Sequence, residues 1–456
     1  MSSMKYYLSL SVLAVSIVAV SCSYSPELNK TVVKGTITIT DSLDASDDYS
    51  GIGVTLINRD SAENEADTLL DLTSDRSGYF EGLVQFPQKK TYELGFSRDG
   101  AKLGTVGAIL AENDTLNIAG ELPDLENTLT LQSREHDALK TLNRVENSFQ
   151  RVSSFIRGGA IPDSMLVLEF DKWSNLYWEV FEKNKNTLAS YLAAEQSAWL
   201  LSGWDDERML KRIDQALPAE PIISVAMKLG TPYIAKSKGF EAASNYLDSL
   251  SQITTNESLQ EAILRDKIKM YFDSSRVKEA KSLLNNYENE YAEKANSQEW
   301  AKRIRYDLNY LAPGVSAPEF TFVTADGDSI NKEMLNGQVY ILEISPLANK
   351  EYQADLDRTV VIHEIYKNYG LKIFTIPLDQ SEITVNAFFE ERRKVWPIAK
   401  LGSFNVQEII EKFNITQVPT RLLIDKDGAL IRKYVRDEFQ DVIHGLNKAF
   451  RTSNPS

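Results

Sequence analysis

The sequence predicts three folded parts in a row: an N-terminal β-sandwich, an irregular α-helical middle and a C-terminal α/β domain. Periodicity gives the order. Apolar residues alternate with period two up to residue 124 and recur with a helical period from 125 to 311. Beyond that they gather into short continuous runs separated by helical stripes. Length gives the number, because 456 residues exceed what one hydrophobic core can organise and roughly 150 residues make a domain.

The extreme N-terminus stands apart from these parts. Lys5 precedes an apolar run from Leu8 to Val20, which ends in Ala19-Val20-Ser21-Cys22. The run, about 13 residues, is short for a hydrocarbon core of about 30 Å, so a secretory leader fits better than a retained span. Small residues directly before a lone cysteine resemble the lipobox of bacterial lipoproteins. That resemblance implies cleavage after residue 21 and a mature chain starting at Cys22, lipidated by thioether-linked diacylglycerol and acyl chains of the palmitate kind. It places the protein in the cell envelope, lipid-anchored to the membrane. An ordinary cleaved leader with a chance cysteine is the alternative. Residues 22–29 then form a polar tether, in which Pro26 resists helix formation. Surface-exported lipoproteins of Bacteroidota carry an acidic cluster after the cysteine, and only Glu27 resembles it here. The periplasmic face of the outer membrane is therefore favoured over the cell surface.

Between residues 30 and 124, Val33, Gly35, Ile37 and Ile39 share one strand face, and Ile52, Val54 and Leu56 share another. Turn residues punctuate the strands at Asp75-Arg76-Ser77-Gly78, Arg98-Asp99-Gly100 and Glu112-Asn113-Asp114, which predicts a small antiparallel sandwich. The order of these segments resembles the β-domains that precede thioredoxin-like domains in Bacteroidota lipoproteins, and carboxypeptidase-regulatory-like domains. A spacer role is favoured over ligand binding through the loops.

In residues 125–311, Trp173, Leu176, Tyr177, Val180 and Phe181 form one amphipathic stripe and Leu264, Ile268, Tyr271 and Phe272 another. Ala280, Leu283, Leu284, Tyr287 and Tyr291 form a third, joined to the second by a turn at Asp273-Ser274-Ser275. No 34-residue repeat runs through the segment, which predicts an irregular helical domain with its aromatic stripes in the core. Breaks are expected at Gly158-Gly159-Ala160-Ile161-Pro162 and Gly203-Trp204-Asp205-Asp206.

The last part, residues 312–452, opens after Pro313-Gly314. Apolar runs at Val339 to Ile344, Leu371 to Pro377 and Arg421 to Ile424 alternate with helical stripes at Leu356, Val360 and His363, and at Val406, Ile409, Ile410 and Phe413. This predicts a sheet covered on both faces. Gly314-Val315-Ser316-Ala317-Pro318-Glu319-Phe320, Asp326-Gly327-Asp328-Ser329-Ile330, Leu335-Asn336-Gly337-Gln338-Val339 and the run from Val418 to Gly428 resemble the thioredoxin-like domains of the TlpA/ResA group.

In that family the first core strand leads into a Cys-x-x-Cys pair at a helix N-terminus, where the dipole lowers a thiol pKa. By register, Asn349 and Tyr352 occupy the two cysteine positions, and neither an amide nor a phenol forms a mixed disulfide. Cys22 is the only cysteine in the chain. Glu343 matches the buried acid that tunes the thiols in the family, and its isolation in an apolar strand predicts a raised pKa. A structural role for it is favoured over a ligand-facing one. Pro419 matches the family's cis-proline, which together with Val418 exposes backbone to extended substrates. Ser345 as a substitute nucleophile has neither a nearby histidine nor a Gly-x-Ser-x-Gly elbow.

A formal charge of −15 without a basic stripe argues against nucleic acid as a partner. Three scattered histidines and one cysteine give no metal-binding spacing, and no cofactor motif occurs. The expectation is a non-catalytic envelope lipoprotein whose redox-inactive thioredoxin-like domain binds a protein or peptide at Glu343, Asn349, Tyr352, Val418 and Pro419. The alternatives are a thiol-disulfide oxidoreductase or hydrolase, and an accessory component of an outer-membrane nutrient-uptake complex.

Overall fold

The computed structural model describes residues 28–40, 47–59, 66–390 and 392–451. Cys22 and the leader lie outside the described residues. The chain divides into two compact units, Met1–Gly230 and Thr231–Ser456, with the division inside the stretch that the sequence presents as one helical part.

The first unit contains β1 (Asn29–Ile39), β2 (Ile52–Arg59), β3 (Ala66–Thr73), β4 (Tyr79–Phe86), β5 (Lys90–Arg98), β6 (Ala101–Leu110), β7 (Thr115–Leu122), α1 (Leu125–Thr128) and β8 (Thr130–Gln132). There follow α2 (Arg134–Arg157), α3 (Asp163–Lys183), α4 (Leu188–Leu201), α5 (Asp206–Ala216) and α6 (Glu220–Val225), the last continued by a π-helical turn at Ala226–Gly230. The strands form two four-stranded sheets, ordered β4-β1-β7-β8 and β3-β2-β5-β6. Val33 and Ile37 of the first sheet share one core with Val54, Leu56, Leu94 and Phe96 of the second, so the sandwich forms as the alternation demands.

One pairing departs from the antiparallel expectation: β1 runs parallel to β7, with Val32 opposite Thr115. Five strands separate the two in sequence. That long connection can return the chain to the end from which β1 started, which a hairpin cannot do. The turn before β4 is held by Asp75, whose Oδ1 accepts from Ser77 N at 2.8 Å and Tyr79 N at 3.0 Å. Gly78 in that turn has φ +80°, and a Cβ there would lie 2.2 Å from the Ile37 carbonyl oxygen, so only glycine fits.

Glu135, at the start of α2, fastens helices to the sandwich. It accepts from Leu188 N at 2.8 Å and pairs with Lys89 Nζ at 2.9 Å while only 2% exposed. The α3 stripe of Trp173, Tyr177, Val180 and Phe181 is buried, as its spacing implies.

The second unit begins with α7 (Thr231–Lys238), α8 (Phe240–Ile253), α9 (Glu257–Asp273), α10 (Val277–Glu290) and α11 (Ala295–Tyr310). Ile268 of α9 packs with Ala280, Leu284 and Tyr287 of α10 and Ala301 and Leu308 of α11. There follow β9 (Thr321–Val323), β10 (Ser329–Asn331), β11 (Tyr340–Ser345), α12 (Lys350–Tyr366), β12 (Lys372–Pro377), α13 (Glu382–Glu390), α14 (Val406–Lys412), β13 (Thr420–Ile424), β14 (Leu430–Val435) and α15 (Val442–Arg451).

The main sheet has the order β12-β11-β13-β14. Strands β11 and β12 are parallel, while β13 runs antiparallel to both β11 and β14. Alternate residues feed opposite cores. Tyr340, Leu342 and Ile344 pack with Phe320, Phe374 and Phe413 on one face, and Val339 and Ile341 pack with Ile362, Phe439 and Leu446 on the other. This two-sided burial is why β11 reads as a continuous apolar run. Gly445 lets α15 lie close to the sheet, since a Cβ there would meet the Tyr434 hydroxyl at 2.3 Å. Among the described residues no helix is long and apolar enough to cross a membrane.

Candidate functional site

The strand order brings the C-terminal end of β11 and the N-terminal end of β13 together, because Ile344 lies opposite Thr420. The segment Ser345 to Asn349 and the loop Gln417-Val418-Pro419 therefore share one end of the sheet. Asn349 is the N-cap of α12: its Oδ1 accepts from Tyr352 N at 2.9 Å, occupying one of the free amides of the first turn. The Val418-Pro419 peptide is cis.

Behind this end lies a polar network sealed between apolar layers. Glu343 is 0% and Arg421 is 1% exposed, and they sit directly opposite each other on β11 and β13. Arg421 Nε donates to Glu343 Oε1 at 2.8 Å, and its Nη1 donates to Asp355 Oδ2 on α12 at 2.9 Å. The second carboxylate oxygen of Glu343 accepts from Thr375 Oγ1 at 3.0 Å and from the Tyr352 hydroxyl at 3.3 Å. Thr375 in turn accepts from Trp396 Nε1 at 2.9 Å. The guanidinium carbon of Arg421 lies 4.0 Å from the centre of the Phe439 ring.

Two readings from sequence are corrected here. Glu343 is not isolated: a cation on the neighbouring strand and two hydroxyls meet its charge. Neither Glu343 nor Tyr352 lines a groove, because Tyr352, at 1% exposed, points inward to the carboxylate. Burial, with the Glu343 charge beside it, holds the Tyr352 phenol well above its ordinary pKa, so it stays protonated. Sequence reasoning missed Arg421, Thr375, Trp396 and Asp355 as members of this network. A usable signal existed for the first: Arg421 is as anomalous in its apolar strand as Glu343 is in its own.

Asn349, Val418 and Pro419 remain at the sheet end, Asn349 and Val418 half-buried and Pro419 buried. Around them most backbone groups are taken. The Pro419 carbonyl accepts from Arg436 N at 2.8 Å and the Gln417 carbonyl from Thr420 Oγ1 at 2.7 Å. Arg436 has φ +54°, and its side chain forms an ion pair with Glu351. The N–H and C=O of Val418 have no hydrogen-bond partner among the described residues.

Thr416 and Gln417 of the same loop line a cleft of about 390 Å³ whose other wall carries Trp300, Arg303 and Ile304 of α11. Its floor holds the Lys433 ammonium, 3.2 Å from Asp307 and 2.9 Å from the Asn414 carbonyl oxygen. Burial lowers the Lys433 pKa and raises that of Asp307, each opposed by the other's charge. Among the described residues no group of three His, Cys, Asp or Glu side chains is placed to hold a metal ion.

No family model matches the chain. The thiol-disulfide oxidoreductase ResA of Bacillus cereus is 26% identical over 140 residues, 30% of this chain and 79% of ResA. Its Bacillus anthracis counterpart is 24% identical over 142 residues, 31% of this chain and 80% of its own. Among solved structures, the thioredoxin domain of a thiol-disulfide oxidoreductase from Bacteroides vulgatus is 20% identical. It covers 30% of this chain and 97% of its own, with a TM-score of 0.28. A thioredoxin-family thiol:disulfide interchange protein from Chlorobium tepidum is 21% identical, covering 30% of this chain and 97% of its own, with a TM-score of 0.27. The similarity to the ResA proteins and the sheet order support a thioredoxin-like domain of the TlpA/ResA type in this chain.

Proposed function

We propose that this protein is a lipid-anchored envelope protein whose thioredoxin-like domain has given up redox chemistry and binds an extended peptide segment of a partner protein. The observation that carries the reading is Val418: its backbone donor and acceptor have no partner among the described residues, at the sheet end where the resemblance puts the substrate site. A strand laid against Val418 would satisfy both groups, as in β-strand addition. The cleft beside Thr416 and Gln417 offers room for side chains of that segment.

Loss of exchange chemistry rests on sulfur. The ResA relatives carry the name thiol-disulfide oxidoreductase, and that reaction needs a thiolate to attack and a second to resolve. Here Asn349 caps a helix and Tyr352 is a buried hydroxyl donor, while the chain's single cysteine is Cys22. Anchoring rests on the lipobox-like residues before Cys22, and the outer membrane, periplasmic face, is the favoured location. An accessory role in a nutrient-uptake complex fits the same anchoring.

The test compares the mature, lipidated wild type with Asn349→Arg and Val418→Pro in capture from its own envelope. A partner held by wild type and lost from both variants supports the reading, and retention by both overturns it. Insulin reduction by the mature chain is expected at background. Turnover above background would restore the oxidoreductase reading.

A further inference from the structure

A second cavity, of about 470 Å³, opens at the outer edge of β12, two strands away from the strand that follows Val418. Its size suits a small molecule. The walls are largely apolar and aromatic, with Met334, Ile373, Phe374 and Trp396 prominent. Met334 is exposed at the mouth, whereas Ile373, Phe374 and Trp396 are buried at the back.

Three polar side chains, Gln338, His363 and Lys372, break this lining. His363 Nδ1 and Gln338 Oε1 are shielded from solvent and have no hydrogen-bond partner among the described residues. The Glu364 carboxylate lies 3.9 Å from His363 Nδ1, beyond hydrogen-bond reach, and is paired with Lys367. Lys372, exposed at the rim, has no ion-pair partner among the described residues. Buried polar atoms are nearly always satisfied, so two orphans on the wall of one cavity, beside an unpaired cation, describe what is missing. Lys372 asks for an anion. Gln338 Oε1 asks for a donor. The His363 ring, pushed below its ordinary pKa by burial and by the nearby lysines, is neutral at pH 7 and serves as either. The remaining space asks for an aromatic ring against Trp396 and Phe374.

We propose that this cavity binds a small aromatic 2-hydroxy or 2-amino carboxylate, with its ring against Trp396, its carboxylate at Lys372 and its hydroxyl or amine on Gln338. Such a site is independent of the peptide reading at Val418.

The probe is 3-phenyllactate, titrated into the full mature chain by calorimetry, with 3-phenylpropionate and 3-phenylpropane-1,2-diol as analogues lacking the donor and the carboxylate. Phenyllactate is expected to bind saturably with a Kd of roughly 1 mM or tighter, as its dozen heavy atoms allow. Each analogue is expected to bind about tenfold more weakly, as loss of one hydrogen bond to a buried or charged group implies. Lys372→Gln should weaken phenyllactate by about the same factor, and Met334→Trp should block the mouth and abolish binding. Both residues are exposed, so both variants keep the fold. Absence of saturable binding, equal affinity for the diol, or binding indifferent to both substitutions would overturn the proposal.

Discussion

Arg421 and Glu343 face each other across one rung of the β11-β13 ladder, with Nε 2.8 Å from Oε1 and both side chains shut away from water. In an exposed position such a pair would contribute little. Here each charge makes the burial of the other tolerable, and the consequence is measurable. Arg421→Met leaves the Glu343 carboxylate buried without a cation and is expected to cost about 3 to 5 kcal/mol in denaturant unfolding of the full mature chain. Replacing both partners, Glu343→Leu with Arg421→Met, should recover most of that loss. A double variant no more stable than the single one would show that the network, rather than the pair, sets the cost.

Placing a cysteine at Tyr352, which the resemblance matches to the second cysteine of the family motif, is expected to be costly. Tyr352→Cys removes a fully buried ring and the hydroxyl that donates to Glu343, so a loss of about 3 kcal/mol or more in unfolding free energy follows. Tyr352→Phe keeps the ring and should lose only about 1 kcal/mol. Comparable losses in the two would mean that the hydroxyl, not the ring, holds this position.

Asp273, at the end of α9, carries a pH dependence of definite sign. Burial pushes its carboxyl up to about 6, against the pull of Arg432 and Lys269. A folded-state pKa above the unfolded one means that the native state keeps its proton longer. The stabilisation is therefore complete below the unfolded pKa, near 3.8, and is lost as pH rises through 6. Asp273→Asn removes this term. Unfolding at pH 5 and at pH 7.5 should show wild type losing stability relative to the variant by an amount on the order of 1 kcal/mol between the two. A constant gap would place the titration elsewhere.

In the first unit, Glu135 holds both the Leu188 amide of α4 and the Lys89 ammonium of the sandwich. Glu135→Ala strands both groups, at an expected cost of about 2 kcal/mol in the unfolding of the full chain. Glu135→Gln keeps the acceptor for the amide and should cost less. Equal losses would make the ion pair the whole of the effect.

Much of this architecture could be read along the chain, and the reason differs from part to part. The turn at Asp75 to Gly78, which carries the chain from one sheet to the other, and the hairpin turn at Arg98 to Gly100 precede β4 and β6, because turn residues act through their own backbone angles and local hydrogen bonds. The breaks at Gly158 and Gly203 separate α2 from α3 and α4 from α5 for the same local reason. Glu343 was visible as an acid in an apolar run, yet what meets its charge was not. Arg421 lies 78 residues further on. Only the ladder that places β13 beside β11 makes them neighbours, so an anomaly in each strand became one interaction through topology. Likewise the sequence offers Tyr352 only as a match, by resemblance, to a redox-motif position, whereas the inward direction of its side chain depends on how α12 lies across the sheet.

By itself the sequence determined three things: the alternation of strand and helix, the absence of any cysteine from the C-terminal part, and the polar anomalies that a core does not bury without cause. Each is a property of composition or local spacing, which survives without long-range contacts. The tertiary structure alone decided that Glu343 is matched by Arg421, that the backbone donor and acceptor of Val418 find no partner among the described residues, and that His363, Gln338 and Lys372 line one cavity. Those are relations between residues distant in sequence, fixed only when strands pair and helices pack, because hydrogen bonds and ion pairs act over a few ångströms in space and not along the chain.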